Sequence, residues 1–343
     1  MRYRKIILFL FVSILLWGMI AEVESVNTAV KDAVILCFEA VIPALFPFFV
    51  ISTMMVNTGM ISVLGKFFSP VSRVLFRTSG KGAVVFLIGI LCGYPTGAKV
   101  VADGYSKGEF DKNEAERLLA FCNNSGPLFV IGTVGCAMLA DRKAGIVLYV
   151  IHVISAILCG VSMGIFSKKK TVRFHEEIVA VNFSKSLSES VERAVVSILN
   201  VCGYVVFFAC VTTILNKYIP NPVFLSLVEV TQGAKAIIGM NYPPDMTLVL
   251  LSGAIGFGGV CVAFQVKGVT ASAGLSTKKY LLGKVFQMCV SMIVTKLYVR
   301  FFDTVSAFAP LSTTQRTFQA AYIVSFLFLL CGIFTVYRLT KKR

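Results

Sequence analysis

The stretch that decides the fold is residues 82–101, GAVVFLIGILCGYPTGAKVV. It is apolar enough to enter a bilayer, but the segment CGYPTG at 92–97 interrupts it with two glycines and a proline. Glycine and proline favour a turn over a continuous helix. Basic residues lie on both sides, with Lys81 before the stretch and Lys107 and Lys112 after it. Because cytoplasmic loops carry the excess of Lys and Arg, this pattern predicts a re-entrant hairpin that enters and leaves on the cytoplasmic side.

The composition of the whole chain is that of an integral membrane protein. Of its 343 residues 57% are hydrophobic and 15% are charged, and the mean hydropathy is +0.82, whereas soluble domains carry about 25% charged residues. The net charge of +16 fits basic cytoplasmic loops. No basic stretch is interleaved with the aromatics that stack on nucleic-acid bases. We therefore predict an all-α polytopic membrane protein that contacts lipid and binds no nucleic acid.

Hydropathy and the Lys/Arg bias predict about eight transmembrane helices plus two re-entrant hairpins in an inverted repeat, all within one transmembrane domain. The predicted parts are a first helix at 6–22, a first repeat at about 32–166 whose first helix is 33–57, a cytoplasmic linker at 167–189, a second repeat at about 190–302 and a last helix at 318–337. Each repeat reads helix, broken hairpin, broken helix, helix, which is a plan of secondary transporters. Both termini are expected in the cytoplasm, as is a loop after 33–57 that contains Lys66, Arg73, Arg77 and Lys81. If 82–104 were instead a full crossing, the basic segment after it would lie outside.

The two predicted hairpin tips contain related motifs. Gly97-Ala98-Lys99 in the first returns as Gly233-Ala234-Lys235 in the second. The N–H groups at the start of a half-helix bind anions, and a lysine near the bilayer centre costs at least about 2.5 kcal/mol. We therefore expect Lys99 and Lys235 to provide countercharge for an anionic solute, although snorkelling to a surface would also explain them.

Three small polar residues, Asn123, Asn124 and Ser125, lie just before Pro127, where a crossing begins or breaks. Such a break offers side chains and freed carbonyls to a solute or a sodium ion, or else is a solvated N-cap.

Two acidic residues, Glu39 and Glu229, lie in apolar segments, and intramembrane carboxylates are candidates for coupling to Na⁺ or H⁺. An interfacial ion pair is the alternative for Glu39.

The sequence offers little for enzymatic chemistry. Its ten cysteines form no CxxC pair, and its histidines are His152 and His175 alone, so neither a metal site nor a redox site is expected. There is no HExxH motif, no Ser/His/Asp set and no P-loop. We predict no enzyme, no ATP-driven pump and no cofactor beyond a coupling ion.

A resemblance to a known family appears across residues 89–135. Three motifs carry it: Gly93-Tyr94-Pro95-Thr96-Gly97-Ala98-Lys99, Glu114-Ala115-Glu116-Arg117-Leu118-Leu119 and Asn123-Asn124-Ser125-Gly126-Pro127-Leu128-Phe129. Together they resemble the YlbJ-type sporulation integral membrane proteins, a branch of the nucleoside-recognition or Gate-domain superfamily. The resemblance implies a fold similar to concentrative nucleoside transporters and a role in moving dipicolinate from the mother cell to the forespore. In the second hairpin Glu229-Val230-Thr231-Gln232 departs from the Gly-Tyr-Pro-Thr pattern.

The resulting hypothesis is a secondary transporter for a small anionic solute, first of all dipicolinate, in the forespore outer membrane. The candidate solute-binding residues are Gly93, Tyr94, Pro95, Thr96, Gly97, Lys99, Asn123, Asn124, Ser125, Gln232, Gly233 and Lys235, with Glu39 and Glu229 for a coupling ion. A transporter of nucleoside-like solutes and a non-transporting scaffold needed for spore formation are the alternatives. The sequence leaves a homo-oligomer open.

Overall fold

The computed structural model describes residues 2–165 and 183–301, and every regular element in these two ranges is helical. The elements of the first range are α1 (Arg2–Ala21), α2 (Val23–Leu36), π1 (Cys37–Val41), α3 (Ile42–Asn57), α4 (Met60–Leu75), α5 (Gly80–Cys92), α6 (Thr96–Ser106), α7 (Lys112–Cys122), π2 (Leu128–Met138) and α8 (Arg142–Ile165). Those of the second are α9 (Phe183–Tyr218), α10 (Pro222–Val228), α11 (Val230–Gly239), α12 (Pro244–Phe257), α13 (Gly259–Ala271) and α14 (Lys278–Phe301). The all-α membrane class is therefore confirmed.

The first two helices meet at a sharp bend. The axes of α1 and α2 differ by 96°, and α2, π1 and α3 then follow one another directly from Val23 to Asn57. The second helix thus begins ten residues before the predicted start at residue 33. No proline or glycine lies between Val23 and Ile42, so nothing in the local sequence stops the helix there.

Helix α4 replaces a predicted cytoplasmic loop. Its buried residues Ile61, Leu64, Ser69 and Ser72 recur at helical spacing and form one face, which packs on α5. Charge alone had suggested a loop because Lys66 and Arg73 occupy the remaining surface. A one-sided apolar pattern of this period is typical of an amphipathic helix.

Helices α5 and α6 form the first hairpin. The chain turns at Gly93, whose φ of +79° is a conformation that glycine adopts readily. The two ends of the hairpin meet on the same side of the molecule, because Lys81 forms an ion pair with Glu109 and the Ser79 N–H donates to Glu114 at 2.7 Å. Residues 80–106 therefore turn back as a re-entrant hairpin does.

The same order of parts occurs twice. After the first hairpin, α7 and π2 are separated by the non-helical residues 123–127. After the second hairpin, α10 and α11, which break at Glu229, helices α12 and α13 are separated at Gly258. Each half then ends in a long helix, α8 or α14.

Four single spans among the described residues are long and apolar enough to cross a membrane, namely α8, α9, Pro244–Ala271 and α14. Two bent helix pairs raise this number to at most six, so the predicted count of eight is not confirmed. The last predicted helix, 318–337, and residues 167–182 of the predicted linker lie outside the described residues. Residues 183–189, predicted as linker, belong to α9 because the helix begins at Phe183.

Candidate solute-binding site

In each half, the tip of the hairpin touches the break of the helix that follows it. A Cβ atom placed on Gly93 would lie 3.0 Å from the backbone nitrogen of Gly126. In the second half, a Cβ atom on Gly259 would lie 3.2 Å from the carbonyl oxygen of Val228 and 3.3 Å from Cα of Glu229. The returning arms also contact the other half, because α6 packs on α13 and α11 packs on π2. The four interruptions of regular helix are therefore gathered in the middle of the molecule.

A cavity of about 1390 Å³ lies at this meeting point. Its polar lining comes from both hairpin tips, from π2 and α13, and from α2, π1 and α9. These residues are Glu24, Ser25, Thr28, Asp32, Glu39, Tyr94, Thr133, Thr212, Thr213, Asn216, Glu229, Thr231, Gln232, Lys235 and Gln265. The cavity is large enough for a drug-sized molecule.

The charges that line this cavity differ from the expected pair of lysines. Lys235 lines it, whereas Lys99 does not. The Lys99 ammonium is buried and lies 3.1 Å from the Asp103 carboxylate, so its charge is compensated within α6. The two lysines at matching positions of the repeat thus have different surroundings.

Carboxylates outnumber ammonium groups on the cavity wall. Glu24, Asp32, Glu39 and Glu229 line it together with Lys235. Glu39 lies in π1, the wider turn between α2 and α3. A bound anion therefore needs a cation beside it to offset the repulsion from these carboxylates.

A carboxylate side chain of the protein lies at the second hairpin tip. The Glu229 carboxylate accepts from the backbone N–H groups of Thr231 at 2.9 Å and Gln232 at 2.8 Å. It therefore caps α11 and occupies the N–H groups that the sequence had suggested for a solute. Gly233 is not part of the cavity wall, because a Cβ atom there would lie 2.0 Å from Cα of Ser226. It lets the two arms of the hairpin pack closely.

The first hairpin tip is held by α7 and the break after it. Cβ atoms placed on Gly89 or Gly97 would each lie 1.8 Å from the carbonyl oxygen of Cys122, so Gly97 packs against α7 and does not face the cavity. The Ala98 N–H donates to Oδ1 of Asn123 at 3.4 Å. Pro95 is buried and follows a cis peptide bond. The Asn123 side chain thus caps α6 from the neighbouring break.

Five buried polar atoms near the tips and breaks have no partner at ordinary hydrogen-bond geometry within the described part of the chain, although the Tyr280 hydroxyl interacts with Asn123 and the Ser125 side chain with Tyr94. They are Oγ1 of Thr96, Nδ2 of Asn123, Oγ of Ser125, Oε1 of Gln265 and the hydroxyl of Tyr280. Each of these side chains is less than 5% exposed. A buried polar group without a partner costs about 1–3 kcal/mol. Of these five residues Gln265 lines the cavity, whereas Thr96, Asn123, Ser125 and Tyr280 do not.

Comparisons with known proteins agree with this arrangement of parts. Residues 38–169 match the family model Gate, described as nucleoside recognition. The chain is also 25% identical over 301 residues to the sporulation integral membrane protein YlbJ of Bacillus subtilis (strain 168). The aligned region covers 76% of this chain and 74% of that protein. The chain is therefore similar to YlbJ over about three quarters of its length, and residues 38–169 are similar to the Gate family. No solved structure matches it. The resemblance drawn from residues 89–135 is confirmed, and it extends to a relative whose name places that relative in sporulation.

The Gate domain contains the first hairpin, the break at 123–127 and Glu39. Beyond its end lie Glu229, Gln232, Lys235 and Gln265, which complete the cavity. The candidate site is therefore built by the Gate domain together with the second half of the chain.

Several residues at the site were missed from the sequence. Behind the break, the amide of Gln287 donates to Oδ1 of Asn124 at 3.1 Å, and Nδ2 of Asn124 donates to the Phe121 carbonyl at 2.7 Å. The Ser125 N–H donates to Nε2 of His152 at 3.0 Å. Asn124 is thus held by the protein itself and is not available to a solute. A polar residue within an apolar helix, such as Gln287 or His152, is the signal that would have found this network.

Proposed function

We propose that this protein is a secondary transporter that moves a small anionic solute across the membrane, with dipicolinate as the first candidate. The observation that carries the proposal is a large cavity at the point where hairpin tips meet helix breaks, lined by Lys235, by several carboxylates and by Gln265. Oε1 of Gln265 is buried without a hydrogen bond in the described residues, and it gains one when a solute with a donor group is present. Two hairpins beside broken helices are also the plan by which secondary transporters alternate access to a central site.

The charges of the cavity assign roles to its residues. Lys235 is the cavity-lining ammonium among the described residues, and it pairs with a carboxylate of the solute. Glu39 and Glu229 hold the coupling cation, Na⁺ or H⁺, which offsets their repulsion of the solute. In this proposal the solute and the cation therefore travel together. Lys99 has no direct part, because Asp103 already neutralises it.

A nucleoside-like solute is the second candidate. The description of the matched domain is nucleoside recognition, and carboxylates such as Glu39 and Glu229 accept hydrogen bonds from sugar hydroxyl groups. A neutral nucleoside would also need no countercharge from Lys235. A non-transporting scaffold needed for spore formation is a weaker alternative, since it gives no role to the buried, unpartnered Oε1 of Gln265 in the cavity wall.

The location and the chemistry of the protein follow the same proposal. A carrier that delivers dipicolinate from the mother cell belongs in the forespore outer membrane, with both termini in the cytoplasm. It performs no chemical conversion and needs no cofactor other than the coupling ion. A homo-oligomer would be compatible with a site that lies within one chain.

Uptake of radiolabelled dipicolinate into proteoliposomes tests the proposal. We expect uptake by the wild type under an imposed Na⁺ or proton gradient, and at least a tenfold loss for Lys235→Ala, equivalent to about 1.4 kcal/mol. The matched control is Lys296→Ala, which removes an exposed lysine of α14 that does not line the cavity and should transport as the wild type does.

Three results would change the conclusion. Equal uptake by wild type and Lys235→Ala would refute the assigned role of Lys235. Uptake of labelled uridine but not dipicolinate would favour the nucleoside candidate. If folded protein in sealed vesicles takes up neither solute under any imposed gradient, the scaffold remains.

A further inference from the structure

A buried ammonium group lies near the first helix break and does not line the cavity. Lys284 of α14 is 3% exposed, and its Nζ donates to Oε1 of Gln287 at 2.7 Å. No carboxylate among the described residues forms an ion pair with it. The titratable groups around it are the thiols of Cys122 and Cys159 and the imidazole of His152. A buried cation without an anion needs other negative partners.

The end of α7 brings partial negative charge close to this ammonium group. Helix α7 ends at Cys122, beside Lys284, and the last carbonyls of a helix carry partial negative charge. Helices α7 and α14 pack closely at this level, because a Cβ atom on Gly283 would lie 2.4 Å from the carbonyl oxygen of Ala120. The Cys159 thiol of α8 donates to the same carbonyl at 3.7 Å. Three helices thus meet at the carbonyl end of α7.

The break itself is linked to the ammonium group by hydrogen bonds. Gln287, which accepts from Lys284, donates to Oδ1 of Asn124 at 3.1 Å and to the carbonyl oxygen of His152 at 3.4 Å. His152 in turn accepts from the Ser125 N–H. Amide and carbonyl oxygens at a helix break are the ligands with which broken transmembrane helices bind cations.

We propose that this is a cation site and that the Lys284 ammonium is its permanent occupant. The ammonium takes the place of a bound metal ion and stabilises the break between α7 and π2. Because it is covalently attached, it does not travel across the membrane. The coupling cation of any transport cycle must therefore bind elsewhere, and the cavity carboxylates are the available place.

Chemical rescue tests the proposal with purified protein in detergent, independently of any transported solute. Lys284→Ala should lower the melting temperature by at least about 4 °C. Propylammonium chloride supplies the atoms that this substitution removes, and it should restore at least half of the loss. Tetramethylammonium chloride at the same concentration has no N–H donor and should restore nothing. Lys296→Ala should show neither loss nor rescue.

Substitution of Gln287 tests the charge of the site in case Lys284→Ala does not fold. Gln287→Glu places a carboxylate next to the ammonium and should be at least as stable as the wild type, whereas Gln287→Glu combined with Lys284→Met should be clearly less stable. The proposal is overturned if Lys284→Ala melts like the wild type, if propylammonium and tetramethylammonium act alike on it, or if Gln287→Glu alone melts lower than Gln287→Ala.

Discussion

Substitution of Gly97 by alanine tests how the first hairpin is held. Its added Cβ atom would lie 1.8 Å from the carbonyl oxygen of Cys122, whereas ordinary contacts lie at 3.4–4 Å. Relief therefore requires a movement of about 1.6 Å between α6 and the end of α7, both of which are buried. Neither contact atom is the end of a flexible side chain, so the backbone itself must move. Overpacking of this kind costs about 1–3 kcal/mol.

Thermal unfolding in detergent measures the effect. A loss of about 1–3 kcal/mol corresponds to a fall in melting temperature of about 1–4 °C in a chain of 343 residues. Gly203→Ala is the matched control, since a Cβ atom there meets nothing within 4 Å and the residue is exposed in the middle of α9. It should melt at the wild-type temperature or slightly above, because alanine favours a helix over glycine. If Gly97→Ala is as stable as Gly203→Ala, the close packing of the hairpin on α7 is refuted.

Three further substitutions distinguish residues that stabilise the fold from residues that bind the solute. Asp103→Asn removes the ion-pair partner of the buried Lys99 and should cost about 1–3 kcal/mol of stability. Adding Lys99→Met to this variant should recover most of the lost stability in a thermal melt, and no recovery would contradict the pairing. Glu229→Ala should lose about 1 kcal/mol of stability because the cap on α11 is removed. Glu229→Gln keeps an acceptor and should melt near the wild type, so equal melting temperatures for the two variants would argue against the cap. Gln265→Leu removes a cavity-lining acceptor that makes no hydrogen bond in the described residues, so stability should hold while solute affinity falls about fivefold, near 1 kcal/mol. An unchanged affinity would place the solute elsewhere.

The hairpins and breaks could be predicted because local sequence decides them. Glycine and proline at 92–97 and at 126–127 prevent a regular helix, and basic residues on both flanks of 82–101 indicated which side the first hairpin faces. The break at Gly258 is equally local, since its φ of +81° favours glycine. These features depend on neighbouring residues and hardly on tertiary packing.

Which residues line the cavity could not be predicted in the same way. Lys99 and Lys235 occupy equivalent places in the motif Gly-Ala-Lys, yet Asp103 one helical turn later compensates only the first. The carboxylates Glu24 and Asp32 reach the cavity because α2 begins at Val23, ten residues before hydropathy suggested. Which polar residues face one another depends on how α7, α8, α13 and α14 pack, and this packing is not encoded in any single segment.

Accessibility of Gln232 to a membrane-impermeant thiol reagent shows whether one solute site, where the hairpin tips meet the helix breaks, opens in turn to both sides of the membrane. The variant carries Gln232→Cys with all ten native cysteines replaced, and it is labelled in right-side-out and in inside-out vesicles. We expect labelling from both sides and protection on both sides by the transported solute. Labelling from one side only under every imposed gradient, without protection by dipicolinate or uridine, would refute alternating access at this site.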